Sequence, residues 1–298
     1  MKIFRIYKGI SERLFLYTRR VLNYILILRK KYPAVKNTKD TIEAIIDRKL
    51  SVSRFGDGEL MIINGSGWGF QKYNPHLATR LKEILKSDEA RIAICLPDVF
   101  QTRRRFTSVA KNFWFLHILD HLHQWNRLII CNKPYYDTQF TRFYMDLKDK
   151  DCYPGEIIYM IKLIWEDTDL LIVEGAGSRL GYGNDLFANS RSIQRIICPA
   201  ENAYCKYEEI FDTTIKYANG KLVLIALGMT ATVLSYDLAM KGFRAIDIGH
   251  VDIEYEWFRM KASKKVPVNH KYMNEVSCRI FDEIEDAEYV NQIVASVN

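Results

Sequence analysis

From about Thr38 onward, short β-branched runs alternate with helix-length segments, and this alternation limits the fold more than any other feature of the chain. Strands separated by a dozen or more residues cannot pair as tight hairpins. They pair in parallel through crossovers, which lay helices on both faces of the sheet. The strand candidates are Leu50 to Phe55, Arg91 to Leu96, Arg127 to Cys131, Asp169 to Val173, Gln194 to Cys198, Lys221 to Leu227 and Ala245 to Ile248. Between them, apolar residues at spacings of three and four predict helices over Asn74 to Lys86, Glu156 to Trp165, Ala203 to Ala218 and Thr230 to Met240. No repeat or low-complexity linker interrupts the series. The expectation is one doubly wound, mostly parallel α/β domain over residues 37–298, with a helical stretch from Val276 to Val294 near its end. A chain of 298 residues that is 48% hydrophobic can fill such a core, which excludes disordered and fibrous classes.

Residues 1–36 form a separate basic, helical appendage. They hold ten Lys or Arg against the single acid Glu12, a net of +9 within a chain of net +7, so the other 262 residues carry −2. The body is therefore nearly neutral, and nucleic-acid binding by a basic surface is not expected. Apolar residues recur among these bases, which suits a helix lying on an anionic membrane surface. The longest apolar run, Val21 to Leu28, is broken by Asn23, far short of the roughly 20 residues that span a bilayer, and no cleavage site for a secretory signal follows. Packing against the body or a homo-oligomer contact is the alternative use of the segment. The six cysteines contain no CxxC pair, as expected of free thiols in a reducing cytoplasm.

In an open parallel sheet, ligands bind beyond the carboxyl ends of the strands. There the sequence places Arg54-Phe55-Gly56-Asp57-Gly58-Glu59, then Pro97-Asp98, Asn132-Lys133, Glu174-Gly175-Ala176-Gly177-Ser178-Arg179, Gly228-Met229-Thr230 and Gly249-His250-Val251-Asp252-Ile253-Glu254. Asp57 and Glu59 flank a glycine, an arrangement that suits Mg²⁺ or Mn²⁺ held by two carboxylates and the oxygens of a bound diphosphate; a plain acidic turn has the same pattern. The glycines at 175, 177 and 181 miss the dinucleotide fingerprint by one residue, so a nicotinamide site is disfavoured. Gly177 and Ser178 can still offer N–H groups to a diphosphate, with Arg179 adding charge, or form a tight turn. Gly228 followed by Thr230 marks a helix start that can face an anion, or an ordinary N-cap.

Taken in order, RFGDGE, GFQKYN, GAGSRLGYGNDLF, RIICPAENAY, LGMTATVLSYDLA and IDIGHVDIEYEW resemble the successive motifs of the GT-D type glycosyltransferases over about Thr38 to Phe258. The resemblance implies a Rossmann-like sheet, a UDP-sugar donor (UDP-glucose or a relative), a divalent metal on Asp57 and Glu59, and an acceptor on a bacterial surface glycan, lipid-linked glycan or glycoprotein. Such an enzyme would work in the cytoplasm, at the inner face of the membrane if the basic segment binds there. Met229 stands where the family commonly has proline.

Sugar transfer needs the leaving diphosphate stabilised and the acceptor hydroxyl positioned, with a base to take its proton if the reaction inverts configuration. Arg54, Phe55, Gly56, Gly177, Ser178, Arg179, Gly228 and Thr230 are the donor-binding candidates. His250, Asp252 and Glu254 are the catalytic candidates: if the seventh strand continued, alternation would put them on one face, with Asp252 the base. Solvated strand-end residues are the bland alternative. A methyltransferase on the same rim, or a non-catalytic membrane-associated subunit, are the competing functions; the first would not need Asp57 and Glu59. His117, His121 and His123 read as a helix surface, Arg103 to Arg105 as a solvated run, and Trp68, Phe70 and Tyr73 as packing or as a stacking wall.

Overall fold

The apolar runs form the strands of one sheet. The computed structural model describes residues 2–29, 32–130, 133–273 and 286–298. In chain order the elements are α1 (Lys2–Leu28), α2 (Thr38–Asp47), β1 (Ser51–Arg54), α3 (Asp57–Ile63), α4 (Pro75–Leu85), β2 (Ile92–Leu96), α5 (Ser108–Leu128), β3 (Tyr136–Asp137), α6 (Cys152–Lys162), β4 (Asp169–Gly175), β5 (Ser192–Cys198), α7 (Tyr207–Ala218), β6 (Leu222–Ala226), α8 (Met229–Met240), β7 (Ala245–Asp247), α9 (Val251–Arg259), α10 (Ala287–Gln292) and β8 (Ile293–Ser296). The strands lie in the order β3-β2-β1-β7-β6-β4-β5-β8, and every neighbouring pair is parallel.

Because both faces are covered, each strand divides its side chains between two layers. On β4, Leu170 and Ile172 point into a core shared with α2, α6 and α9, while Leu171 and Val173 point into one shared with α7 and α8. β2 divides in the same way, with Ala93 and Cys95 on the first side and Ile92, Ile94 and Leu96 on a side shared with α3, α4 and α5. This two-sided burial is why the strands read as continuous apolar runs rather than as alternating ones. Each fully buried aliphatic among them contributes roughly 1.5–3 kcal/mol.

Two expectations need correction. Arg127 and Leu128 belong to α5, and Ile129 caps it by donating to the Trp125 carbonyl (3.1 Å); position 131 lies outside the described residues. The burial of Ile118, Leu122 and Trp125 continues one helical face into this run. The sheet instead ends in the two-residue β3, paired with β2 through Cys95↔Tyr136 and Leu96↔Asp137. Of the helix expected over Val276 to Val294, positions 276–285 lie outside the described residues; the remainder is α10 and then β8, whose last residues extend the sheet beyond β5.

One face of α1 packs on α5. Asn23 is fully buried there, donating to the Leu119 carbonyl (2.8 Å) and accepting from the His123 N–H (3.1 Å). Arg20 holds both carboxylate oxygens of Asp120, at 2.6 and 3.0 Å. The opposite side exposes Leu14, Tyr17, Val21, Tyr24 and Leu28, again at spacings of three and four, flanked by Leu22 and Ile25. No helix among the described residues is long and apolar enough to cross a membrane.

Candidate active site

At the rim, β4 leads outward to β5 while β6 leads through α8 back to β7. The connections thus diverge between two adjacent strands, the place where open α/β sheets form their binding crevice. A cavity of about 470 Å³ opens there, and the ends of β1, β4 and β6 and the residues following β3, β5 and β7 all line it.

Arg54 closes β1 and lines the cavity. Its Nε donates to Asp247 at 3.2 Å and its Nη1 donates to the Thr141 hydroxyl, so the guanidinium is fixed from two sides, while its backbone carbonyl accepts from Thr232 at 2.8 Å. Gly249, at φ +45°, lies against that guanidinium, where a Cβ would collide with it. Asp247 is buried, and burial raises its carboxyl above the ordinary range although Arg54 opposes the shift.

The Asp-x-Glu motif is not a turn but the first turn of α3, with Gly56 as N-cap. A helix places residues two apart on nearly opposite sides, so Asp57 and Glu59 do not converge through the backbone. They line the same cavity because the helix start stands at its edge. Glu59 Oε2 caps its own helix by accepting the Gly56 N–H at 2.7 Å, and burial pushes the carboxyl up to about 7. A nearby cation would favour the charged form. No cluster of three or more His, Cys, Asp or Glu able to hold a metal occurs among the described residues. Two carboxylates at one cavity edge are the number of protein ligands that a hard divalent ion takes when its remaining oxygens come from a diphosphate and water.

The loop after β4 departs further from expectation. Gly175 and Ser178 line the cavity, whereas Gly177 and Arg179 do not. Arg179 is buried with φ +50° and donates to the His270 carbonyl at 2.8 Å, and the Gly177 carbonyl accepts from the Tyr272 N–H at 2.8 Å. Both thus hold the segment that packs over the loop. The loop itself hangs from Glu174, fully buried, which accepts the Leu180 N–H (2.7 Å), Arg195 (2.7 Å) and the Tyr289 hydroxyl (3.2 Å).

Gly228 sits at φ +54°, ψ −135°, and a Cβ there would strike the Phe70 ring. Gly228 and Met229 line the cavity; Thr230 is fully buried behind them, its hydroxyl without a hydrogen-bond partner among the described residues. After β7 the strand does not continue: His250 is the N-cap of α9, and Asp252 and Glu254 lie in its first turn. His250 and Asp252 line the cavity and Glu254 does not. Asp252 has little left to accept a proton, since Oδ1 takes the Gly181 N–H (3.0 Å) and Asn184 (2.8 Å), and Oδ2 holds the Lys271 ammonium at 2.6 Å. Glu254 accepts the N–H groups of Tyr144 and Met145, both at 2.8 Å, and burial pushes it up to about 7. Asp252 and Glu254 therefore order the site's framework.

The cavity also gathers residues that sequence reasoning passed over: Thr138, Gln139, Arg142 and Asp146, all following β3, and Lys265. Arg142 Nη2 lies 3.3 Å from His250 Nδ1. Trp68, Phe70, Val109, Phe113 and Trp114 form an apolar wall. Elsewhere, His117 accepts from Trp125 Nε1 at 3.1 Å, and burial pushes its ring down to about 3, so the histidine pair on α5 is packing. Arg105 is no solvated base: it bonds Thr38, Tyr153 and Asp137.

Sheet and cavity together define an open parallel α/β fold with a ligand crevice at its divergence point. Residues 52–276 match the family described as the glycosyltransferase GT-D fold, and the chain belongs to that family. It is 44% identical over 270 residues to a probable glycosyl transferase Gly of Streptococcus gordonii and 41% identical over 268 residues to the glycosyltransferase GlyD of Streptococcus pneumoniae serotype 4. Those alignments cover 89% and 88% of this chain but 39% and 32% of the relatives, so the chain spans well under half their length. Among solved structures, one described as domain of unknown function 1792, with a distinct glycosyltransferase fold, superposes with TM-score 0.87 at 38% identity, covering 93% of this chain and all of that one. A glycosyltransferase of the same domain type from Streptococcus sanguinis superposes with TM-score 0.84 at 43% identity, covering 89% of this chain and all of that one.

Proposed function

We propose that the chain is a metal-dependent hexosyltransferase that moves a sugar, glucose foremost, from a UDP donor to a hydroxyl of a bacterial surface glycan, lipid-linked glycan or glycoprotein. The observation that carries this reading is that both carboxylates of the Asp-x-Glu motif, Arg54 and Arg142 line one cavity at the divergence point of the sheet. Asp57 and Glu59 would hold Mn²⁺ or Mg²⁺, which supplies charge to stabilise a leaving diphosphate. Arg54 and Arg142 add fixed positive charge at the same rim, and Arg54 needs no reorganisation because its partners already lock it. Ser178 and the start of α8 at Gly228 offer polar groups, and Trp68 and Phe70 offer flat apolar faces to a base or sugar ring.

The names of the streptococcal relatives support the reaction class; the Asp-x-Glu motif suits a diphosphate donor, and uridine and glucose are what the family resemblance implies. A thermal-shift panel of nucleotide sugars, with and without Mn²⁺, tests the reading, because a ligand that binds only the folded chain raises its melting temperature. UDP-hexoses should raise it only with metal; no response to any nucleotide would favour a non-catalytic subunit. We also infer that α1 holds the enzyme at an anionic membrane face. Its exposed apolar stripe lies away from the body, and ten basic residues occupy its segment.

A further inference from the structure

We propose that Asp146 and the apolar start of α5 form the acceptor subsite, with Asp146 the base that takes the proton of the acceptor hydroxyl. The proposal rests on the donor reading above, and its test separates the two. Segments 105–107 and 146–148 are zipped together by Lys148 N–H to the Arg105 carbonyl and Thr107 N–H to the Asp146 carbonyl, both 2.9 Å, around an antiparallel bridge between Phe106 and Leu147. This seats Asp146 beside Thr107, the N-cap of α5, whose next turns carry Val109, Ala110, Phe113 and Trp114 into the cavity.

That corner differs from the rest of the site in two ways. Val109 is 83% exposed and Phe113 46%, so the apolar surface stands at the open mouth rather than in the interior. An acceptor must arrive from solvent and leave larger than it came, and a pyranose ring has an apolar C–H face that lies against aromatic surface while its hydroxyls seek acceptors. Second, the Asp146 carboxylate makes no hydrogen bond or ion pair among the described residues. Of the other carboxylates lining the cavity, Asp57 and Glu59 form the metal motif and Asp252 is held by Lys271. Asp146 is thus the carboxylate left to accept a proton.

In the step itself, the acceptor O–H gives its proton to a carboxylate oxygen of Asp146 while its oxygen bonds to the anomeric carbon of the donor. The bond from that carbon to the diphosphate breaks, and its electron pair leaves on the diphosphate oxygen. Nothing is oxidised or reduced.

The test uses the full chain with Mn²⁺. UDP affinity is measured by calorimetry, turnover as UDP release from UDP-glucose with water as acceptor, and acceptor binding by saturation-transfer NMR of p-nitrophenyl β-glucoside. Asp146→Asn should leave UDP affinity within about twofold and cut UDP release by about 100-fold or more. Phe113→Ala should abolish the glucoside signal with UDP affinity unchanged. UDP release by Asp146→Asn within about threefold of the parent, or a parallel loss of UDP affinity, overturns the proposal alone. Absence of UDP binding by the parent chain overturns the donor reading and the proposal with it.

Discussion

Glu174→Gln isolates what holds the β4 loop in place. Glu174 and Arg195 are both buried, 2.7 Å apart, and the guanidinium also donates to Gln292 and lies 4.6 Å from the Tyr289 ring centre. Replacing the carboxylate by an amide keeps an oxygen for the Leu180 N–H but puts an NH2 group where Oε1 met Arg195 and the Tyr289 hydroxyl, and leaves Arg195 buried without its counter-charge. Breaking such a pair from one side costs about 3–5 kcal/mol, a large part of the roughly 5–15 kcal/mol that keeps a domain folded. Urea unfolding followed by circular dichroism reads the change as a shift in midpoint. The double variant Glu174→Gln with Arg195→Met removes the stranded charge and should recover most of the loss. A single-variant cost below about 1 kcal/mol, or a double variant no better than the sum of the singles, would refute the claim that this ion pair supports the loop.

Arg142→Gln should weaken UDP by about tenfold or more and uridine little, because a charge-assisted contact to phosphate contributes about 1.5–3 kcal/mol; equal losses in calorimetry would place Arg142 off the diphosphate. Glu254, ordinarily near 4.5 and about 7 in the fold, keeps its proton where the unfolded chain has lost it. Stability from this group therefore falls as pH rises from about 4.5 to about 7 and stays lower above that. Glu254→Gln, which keeps an acceptor for Tyr144 and Met145, should match the parent at pH 4 and exceed it at pH 8 by up to about 3 kcal/mol in urea titrations; an unchanged pH dependence would contradict this. The full chain should sediment with anionic vesicles at low salt but not with neutral ones, each basic residue near the surface contributing about 1 kcal/mol. Val21→Glu with Leu28→Glu should leave it in the supernatant, and a parent that stays in solution as a dimer would reassign the stripe to contact between copies.

The sheet was legible where strands are buried on both faces: β4 and β6 coincide with apolar runs that no helix period explains, and β5 is apolar only in its second half. Arg127 to Cys131 shows the limit of that signal, since a helix end that is apolar all round looks like a strand. β3 has two residues, too few for any periodicity, so the sequence does not mark the rim that follows it. Thr138, Gln139, Arg142 and Asp146 follow the dipeptide Tyr136-Asp137, whose own composition carries no strand signal. Asp57, Glu59, Arg54, Gly228 and His250 reach the cavity as position at a carboxyl end leads one to expect, whereas Thr230 and Glu254 do not. Side-chain direction was not legible. Arg179 turns to His270, Asp252 to Lys271 and Glu254 to the backbone of Tyr144 and Met145, each choice made by tertiary partners distant in sequence.

The central claim is that Asp57 and Glu59 bind a divalent ion only together with the diphosphate of a UDP donor. Calorimetric titration of UDP into the parent chain and into Asp57→Ala, with and without Mn²⁺, tests it most directly, with thermal melting of both proteins as the folding control. The account predicts tight binding by the parent in the presence of Mn²⁺, at least tenfold weaker binding without the metal or without Asp57, and equal melting temperatures. UDP affinity that is the same with and without Mn²⁺, or unchanged in Asp57→Ala, would contradict it.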